Sequence, residues 1–396
     1  MELSKYFRRN RANSDTVMNL SDSRLLSQTI SVLRLPLIVA VVFIHNSSAE
    51  LPGMDLTEII NQPAFLGGVN NLIIFISGII AACAVPMFFF FSGYLFFCKV
   101  NTFSKEIYYD KVRSRVRSIV VPYLFWALLG VCLYGVLATL PFTKTVYGHG
   151  YFSLSWRYIG EQITGFKLVD GEHIYQMGYH LWFLRDLFCM VLISPLFYWG
   201  LKDNCWWVTA LLGTLWIIGW GIPVLNDYGF NSAAITFFGI GSYFGINHIN
   251  FVSTFRRISA LAYIVYPIAV LMDWLIKTET VLIYSPLKWE EPIHALMILT
   301  AVPFWVNITR QLLLKGWVRD IAFWATASFF IYLIHIPFIL PQIKKILYHI
   351  VQPTSQCSLI CLYIFTVLFT CLVALLIYKI LMRLFPRFTR VITGGR

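Results

Sequence analysis

The chain has 396 residues, of which 58% are hydrophobic and 13% charged, against roughly 25% charged in an ordinary soluble domain. That balance excludes a soluble multidomain protein and makes the ~20-residue apolar span the useful unit of length. The formal net charge of +12 suits either a nucleic-acid surface or a membrane topology signal, and the placement of the cations favours topology over nucleic acid.

The stretch from Met1 to Ser27 is polar and basic, with no short apolar core followed by a small-residue cleavage site. No cleaved signal peptide is expected, and the first apolar run is expected to act as an uncleaved anchor. The apolar runs predict an all-α integral membrane protein with about ten transmembrane helices. They lie near residues 28–46, 72–97, 119–140, 181–200, 206–222, 232–248, 258–277, 294–313, 321–341 and 358–382. The fifth and sixth are short and separated only by Gly221 to Asn231. The chain thus divides into a basic N-terminal segment, 1–27, a transmembrane domain, 28–382, and a basic tail, 383–396, with no fixed-period repeat.

With a cytoplasmic N-terminus, most of the 31 Lys and Arg fall on inner segments. The outer loops hold only Lys144, Arg157, Lys167, Lys277, Lys288, Lys344 and Lys345. This bias predicts that both termini are cytoplasmic. Acidic residues lean outward, as at Glu50, Asp55, Glu58, Asp227, Glu290 and Glu291.

The eight cysteines form no C-x-x-C, and several sit inside apolar spans. They read as buried structural residues, and no metal site is expected. Gly239, Gly241 and Gly245 follow no strand, and the Gly241 to Gly245 spacing suits close helix packing.

Arg34 and His45 share the first span, eleven residues apart. Eleven steps of about 100° leave them only ~20° apart around a helix and ~16 Å apart along it. An arginine in the hydrocarbon region is costly, so it is expected to face a polar cavity and to mark function. Taken singly, His45 also reads as an interfacial imidazole, and Arg34 as a partner for backbone carbonyls before Pro36.

Five blocks stand in order along the chain. Helix one reads SVLRLPLIVAVVFIHN, with Arg34 and His45 as an R-x10-H pair. Helix two ends PMFFFFSGYLF, containing Ser92. YYDKVRSRVRSIVVPYLFW runs from Tyr108 to Trp126, HLWFLRDL from His180 to Leu187, and SFFIYLIH ends at His335. Together they resemble the bacterial acyltransferase-3 family of multi-pass membrane proteins, over about residues 28–382.

The resemblance implies O-acylation, usually O-acetylation, of a cell-surface or lipid-linked carbohydrate at the cytoplasmic (inner) membrane, with acetyl-CoA as the acyl donor. It places Arg34 and His45 at the catalytic centre. The family's two arginines before helix three map onto Arg115 and Ser118, with Arg117 adjacent, so Arg113, Arg115 and Arg117 are taken as one CoA-binding group. Arginine suits phosphate through its planar donor fork, and positive-inside charge explains the same three residues equally well. With no hydrolase-like domain after helix ten, a stand-alone acyltransferase unit is expected. The acyl group is acetyl or succinyl, and transfer is direct or through an acyl-enzyme.

A sugar hydroxyl needs a general base near neutral pH, and His45 has the right chemistry. Arg34 is expected to hold or polarise the thioester, and Ser92 to donate a hydrogen bond to its acyl oxygen or else to pack. By the same topology Arg185, Asp186, Asp273 and His335 lie at a depth similar to His45, and an outward-opening acceptor pocket is expected there. Trp182 and the aromatic loop from Tyr147 to Tyr179 are candidates for stacking on sugar rings. The alternative is a secondary transporter or glycan exporter, although the two halves show no repeat symmetry.

Overall fold

The computed structural model describes residues 2–64, 67–140, 160, 163, 179–219, 229–279, 290–319 and 322–395. The described residues are almost entirely helical, with one isolated bridge between Leu51 and Met54. Helix α1 spans Glu2–His45, α2 Gly68–Phe97, α3 Lys105–Leu137, α4 Trp182–Leu192 and α5 Ser194–Leu201. Next come α6 Trp206–Ile217, α7 Ser232–Ile246, α8 Phe251–Arg257, α9 Ser259–Lys277 and α10 Glu290–Leu314. The last four are α11 Ala322–Ile334, α12 Leu340–Val351, α13 Gln356–Leu384 and α14 Pro386–Ile392.

Each of the ten predicted apolar runs is helical, but they do not all span alike. Seven helices among the described residues are long and apolar enough to cross a membrane, and eight if the bent pair α4 and α5 counts as one span. The pair bends by 57° at Ser194–Pro195, where proline opens a new helix because it has no N–H to continue the old one. Helices α6 and α7 have 12 and 15 residues, or about 18 and 22 Å at 1.5 Å per residue, short of the ~30 Å hydrocarbon core.

Lipid-type faces are visible in the exposure pattern. Leu261, Ile264, Ile268 and Leu271 on α9, and Phe365, Leu368, Phe369, Leu372 and Leu376 on α13, are exposed at helical spacing. Inside, α2 and α7 approach so closely that backbone touches backbone. A Cβ on Gly93 would collide with the Phe238 carbonyl, and one on Gly241 with the Phe90 carbonyl. The glycine run therefore serves packing, as its spacing predicts.

The two terminal segments are extensions of the helical body. Helix α1 is continuous from Glu2 into the first span. The 383–396 segment folds as α14 and packs on α3, where Phe388 meets Phe125 at 5.6 Å and Trp126 Nε1 donates to the Ile392 carbonyl at 3.1 Å. Lys111 Nζ donates to the Phe96 carbonyl at 2.6 Å, satisfying one of the open carbonyls at the end of α2. That cation is structural as well as topological.

Gly241→Val tests the α2–α7 seam. A branched side chain against the Phe90 backbone is expected to cost more than the about 1–3 kcal/mol of ordinary overpacking. It should show as a lowered melting temperature and loss of monodisperse protein in detergent.

Candidate functional site

Arg34 lines a cavity of about 250 Å³ between α1, α2, α3, α4 and α11. The α1 wall is the stripe Ile30, Arg34, Ile38 and Val41, which repeats at helical spacing. Helix α2 contributes Phe88 and Ser92, α3 contributes Arg115 and Ile119, and α11 contributes Ser328, Phe329 and Tyr332. Two guanidinium groups thus share one small space, and no carboxylate is among its lining residues. Like charges gathered in a low-dielectric setting repel strongly, and the lining of this cavity is cationic.

Both walls lead to a histidine. His45 follows Val41 by one turn on α1, and His335 follows Tyr332 by one turn on α11. Their rings lie 5.1 Å apart, and His180 lies 5.2 Å from His335 on the other side. His335 is fully buried where α11 ends in a kink before α12. The break comes from Pro337. Ile336 adopts φ −125° and ψ 143°, the extended geometry imposed on a residue before proline.

The break fixes the tautomer of His335. Its Nδ1 donates to the carbonyls of Tyr332 at 2.7 Å and Ile331 at 3.2 Å, because a carbonyl can only accept. Nε2 is then the unprotonated nitrogen, buried and without a hydrogen-bond partner among the described residues. Tyr332, which lines the cavity, donates its hydroxyl to the His180 carbonyl at 2.7 Å. Among the described residues no group of three or more His, Cys, Asp or Glu is arranged to hold a metal ion.

The structure sorts the sequence-predicted residues. Arg34, Ser92 and Arg115 come together in the cavity, whereas His45 and His335 are not among its lining residues and meet each other one turn beyond Val41 and Tyr332. Arg113 and Arg117 do not join Arg115. They face a second, open cleft of about 460 Å³ with Asp110, Ser114, Ser118 and Gly394. Alternate residues on a helix point to opposite sides, so the three arginines divide between two spaces instead of acting as one group.

Arg185 and Asp186 pair with each other. Arg185 Nε donates to Asp186 Oδ1 at 2.8 Å, and Asp186 is completely buried. Trp182 is half-buried and packs on Phe89, with ring centroids 6.4 Å apart. Asp273 is buried in a different group. His294 Nδ1 lies 2.7 Å from its Oδ2 and Lys277 Nζ 3.3 Å, while Lys277 also donates to the Gly78 carbonyl at 3.2 Å. Similar depth along a span therefore does not bring Asp273 to His45. The aromatic loop residues 147–178 lie outside the described set, apart from the isolated helical positions 160 and 163.

Two participants escaped the sequence reading. His180 opens one of the five blocks but was counted only as a block marker, and Tyr332 was hidden in an aromatic string. A polar atom one turn before a histidine is the signal that would have found Tyr332.

Residues 28–379 match the family model described as "Acyltransferase domain". No curated protein and no solved structure matches the chain.

The buried Arg185–Asp186 pair yields a stability test. Arg185→Ala leaves an uncompensated buried carboxylate and is expected to cost about 3–5 kcal/mol, whereas Arg185→Ala combined with Asp186→Asn recovers most of it. Thermal unfolding in detergent of the two variants checks the difference.

Proposed function

Because the chain belongs to the acyltransferase-3 family, we propose that this multi-pass membrane protein is an O-acyltransferase of the bacterial cytoplasmic membrane. It moves an acyl group, most simply acetyl, from acetyl-CoA to a hydroxyl of a cell-surface or lipid-linked carbohydrate. The observation that carries this reading is the cavity in which Arg34, Ser92 and Arg115 converge, whose α1 wall ends at Val41, one turn before His45.

In this reading His45 removes the proton as the acceptor hydroxyl oxygen attacks the thioester carbonyl. A C–O bond forms, the C–S bond breaks, and the imidazolium returns its proton to the departing thiolate. Negative charge develops on the carbonyl oxygen during attack. Arg34 and Ser92 are donors in the same cavity, and such preorganised donors stabilise that charge in a water-poor site. Arg115 lines the α3 side of the cavity, where it attracts the polyanionic donor. Two guanidinium groups in one cavity suit an anionic substrate better than a neutral solute, and family membership points to acyl transfer over export.

The depth order sets the direction of approach. With the basic ends of α1 and α3 cytoplasmic, the donor enters past Arg115 and Arg34, and the acceptor reaches His45 from the opposite face. His335 is a positioning residue for His45: its Nδ1 is committed to backbone carbonyls, and its ring stands against that of His45. Asp186, Arg185 and Trp182 stand on α4 beside the α11 wall and remain the acceptor-side candidates. Asp273 belongs to a separate cluster and is a weaker one.

Acetyl-CoA binding to purified protein tests the reading. Arg34→Ala is expected to weaken binding by roughly tenfold or more, the value of a charged hydrogen bond. His45→Ala should bind acetyl-CoA like the wild type while transfer slows by at least ~100-fold, the usual contribution of a general base. Normal transfer by His45→Ala would remove it from the chemistry, and absence of binding by folded wild type would defeat the CoA donor.

His335→Asn separates position from packing. Asparagine keeps an N–H aimed at the Tyr332 carbonyl but has nothing at the Nε2 position. Transfer rate is expected to fall about 10- to 100-fold with the donor KM unchanged; a rise in KM at constant kcat would assign His335 to binding instead.

A further inference from the structure

Two consecutive residues in the first half of α2 are held from opposite directions. Ser77 and Gly78 lie in the π-helical stretch Ile74–Ile80, which packs on both α1 and α9. Toward α1, Ser77 Oγ donates to the Phe43 carbonyl at 2.5 Å and contacts the Tyr363 hydroxyl at 2.7 Å. Toward α9, the Gly78 carbonyl accepts from Lys277 Nζ at 3.2 Å. Phe43 stands two residues before His45 on α1. A chain of contacts thus runs from the end of α9, through one widened turn of α2, to the end of α1.

The α9 end of that chain is built from charge. Asp273 is completely buried and is not among the residues that line the Arg34 cavity. Its Oδ2 meets Lys277 Nζ at 3.3 Å, and His294 Nδ1 donates to the same oxygen at 2.7 Å. Its Oδ1 is buried without a hydrogen-bond partner among the described residues. Trp274 fastens the same helix to α2 one turn earlier: its Nε1 donates to the Asn71 carbonyl at 3.4 Å and its ring meets Phe75 edge-on at 5.9 Å. The ammonium of Lys277 is therefore fixed against α2 and does not swing freely in solvent.

A π-helical stretch is rare and recurs at functional sites. Its widened turn leaves backbone carbonyls out of line with the regular ladder, and each needs another partner. Lys277 is that partner for Gly78. Without it α2 gains by closing to α-helical register. Closing removes one residue from the turn and moves the side chains on one side of it by about 100° and 1.5 Å. Ser77 would then leave the Phe43 carbonyl.

We propose that Lys277, held by Asp273 and His294, is a positioning residue for His45 and acts through the π-helical stretch of α2. Its bond to Gly78 keeps the turn wide, and the wide turn keeps Ser77 on the Phe43 carbonyl just before the base. The role rests on the general-base reading of His45 given above. It brings Asp273 into the workings of the site although Asp273 touches no reactant.

The test uses the full chain in detergent and reads acetyl transfer beside backbone hydrogen exchange. Lys277→Met alone strips a buried carboxylate of its cation, so it is combined with Asp273→Asn, which removes that charge. In this paired variant kcat is expected to fall about 10- to 100-fold, the cost of a slightly misplaced catalytic group, with the acetyl-CoA KM unchanged. Exchange should quicken at residues 74–80 and at residues 41–45. Lys277→Arg keeps a donor facing Gly78 and should stay within severalfold of wild type. Ser77→Ala should lower kcat to a similar extent, and joining it to the paired variant should add little, because both cut the same connection.

Multiplying losses in the combined variant would overturn the proposal, as would a paired variant whose kcat and exchange at residues 41–45 equal wild type. A raised acetyl-CoA KM at constant kcat would overturn it too, by placing the effect on donor binding. If folded wild type transfers no acyl group, the acyltransferase reading fails instead. Exchange at residues 41–45 in the paired variant then still decides whether Lys277 governs the end of α1.

Discussion

The placement of one guanidinium organises this protein. Arg34 sits in mid-helix on α1, where exposure to hydrocarbon costs at least ~2.5–3.5 kcal/mol. The fold meets that cost by opening a largely apolar space between five helices and bringing Ser92, Arg115, Ser328 and Tyr332 to its walls. A second cation, Arg115, lines the same space, and like charges so placed repel. The two guanidinium groups give the cavity a chemical character that its size alone lacks.

The helices depart from regular geometry at the points where the site is built. A π-helical stretch at Val116–Val120 follows Arg115, and another at Ile74–Ile80 exposes the Gly78 carbonyl that Lys277 reaches. At His335–Ile339 the departure is a kink instead, where Ile336 leaves helical geometry before Pro337 and the His335 ring stands against that of His45. A wider turn re-aims side chains relative to an α-helical register, and such turns concentrate at functional sites. The division of the arginine run belongs to the same logic. Residues two apart on a helix cannot serve one pocket, so Arg115 goes to the cavity while Arg113 and Arg117 go to the cleft.

Periodicity within a single helix was legible from the sequence, and relations between helices were not. Arg34 and His45 could be placed on one face by counting residues, and α1 is helical through both. Arg113, Arg115 and Arg117 looked like one group because sequence distance is short, but azimuth separated them. Asp273 looked like a neighbour of His45 because depth along a span is readable from topology. Which helices adjoin is decided by packing, and α9 pairs with α10, where His294 and Lys277 claim the carboxylate. The docked tail was read as a basic end, since nothing local in TRVITGGR reveals that its glycines rest on Ser118. The ten apolar runs were found, but α6 and α7 are too short for their apolarity to decide whether they span.

The base role proposed for His45 requires it to stand within hydrogen-bond reach of the proton it takes, about 2.6–3.2 Å, yet His45 is the last residue of α1, where helices normally fray. The residues after it resolve that conflict. Asn46 Nδ2 donates to the Tyr363 carbonyl at 3.1 Å, and Ser77 Oγ donates to the Phe43 carbonyl at 2.5 Å while contacting the Tyr363 hydroxyl at 2.7 Å. Ala49, Leu51 and Leu56 then form a second hydrophobic cluster with Tyr348, Leu359, Leu362 and Tyr363. Gln356, at the start of α13, holds the far end of this loop by donating to the Ile59 and Ile60 carbonyls at 2.8 and 2.9 Å. A loop that served only to join α1 and α2 would not need its own core. This one clamps the end of α1 against α13, so the imidazole is fixed by packing on the outer side and by the His335 ring within. Precision at His45 is thus supplied by a segment that carries no chemistry itself.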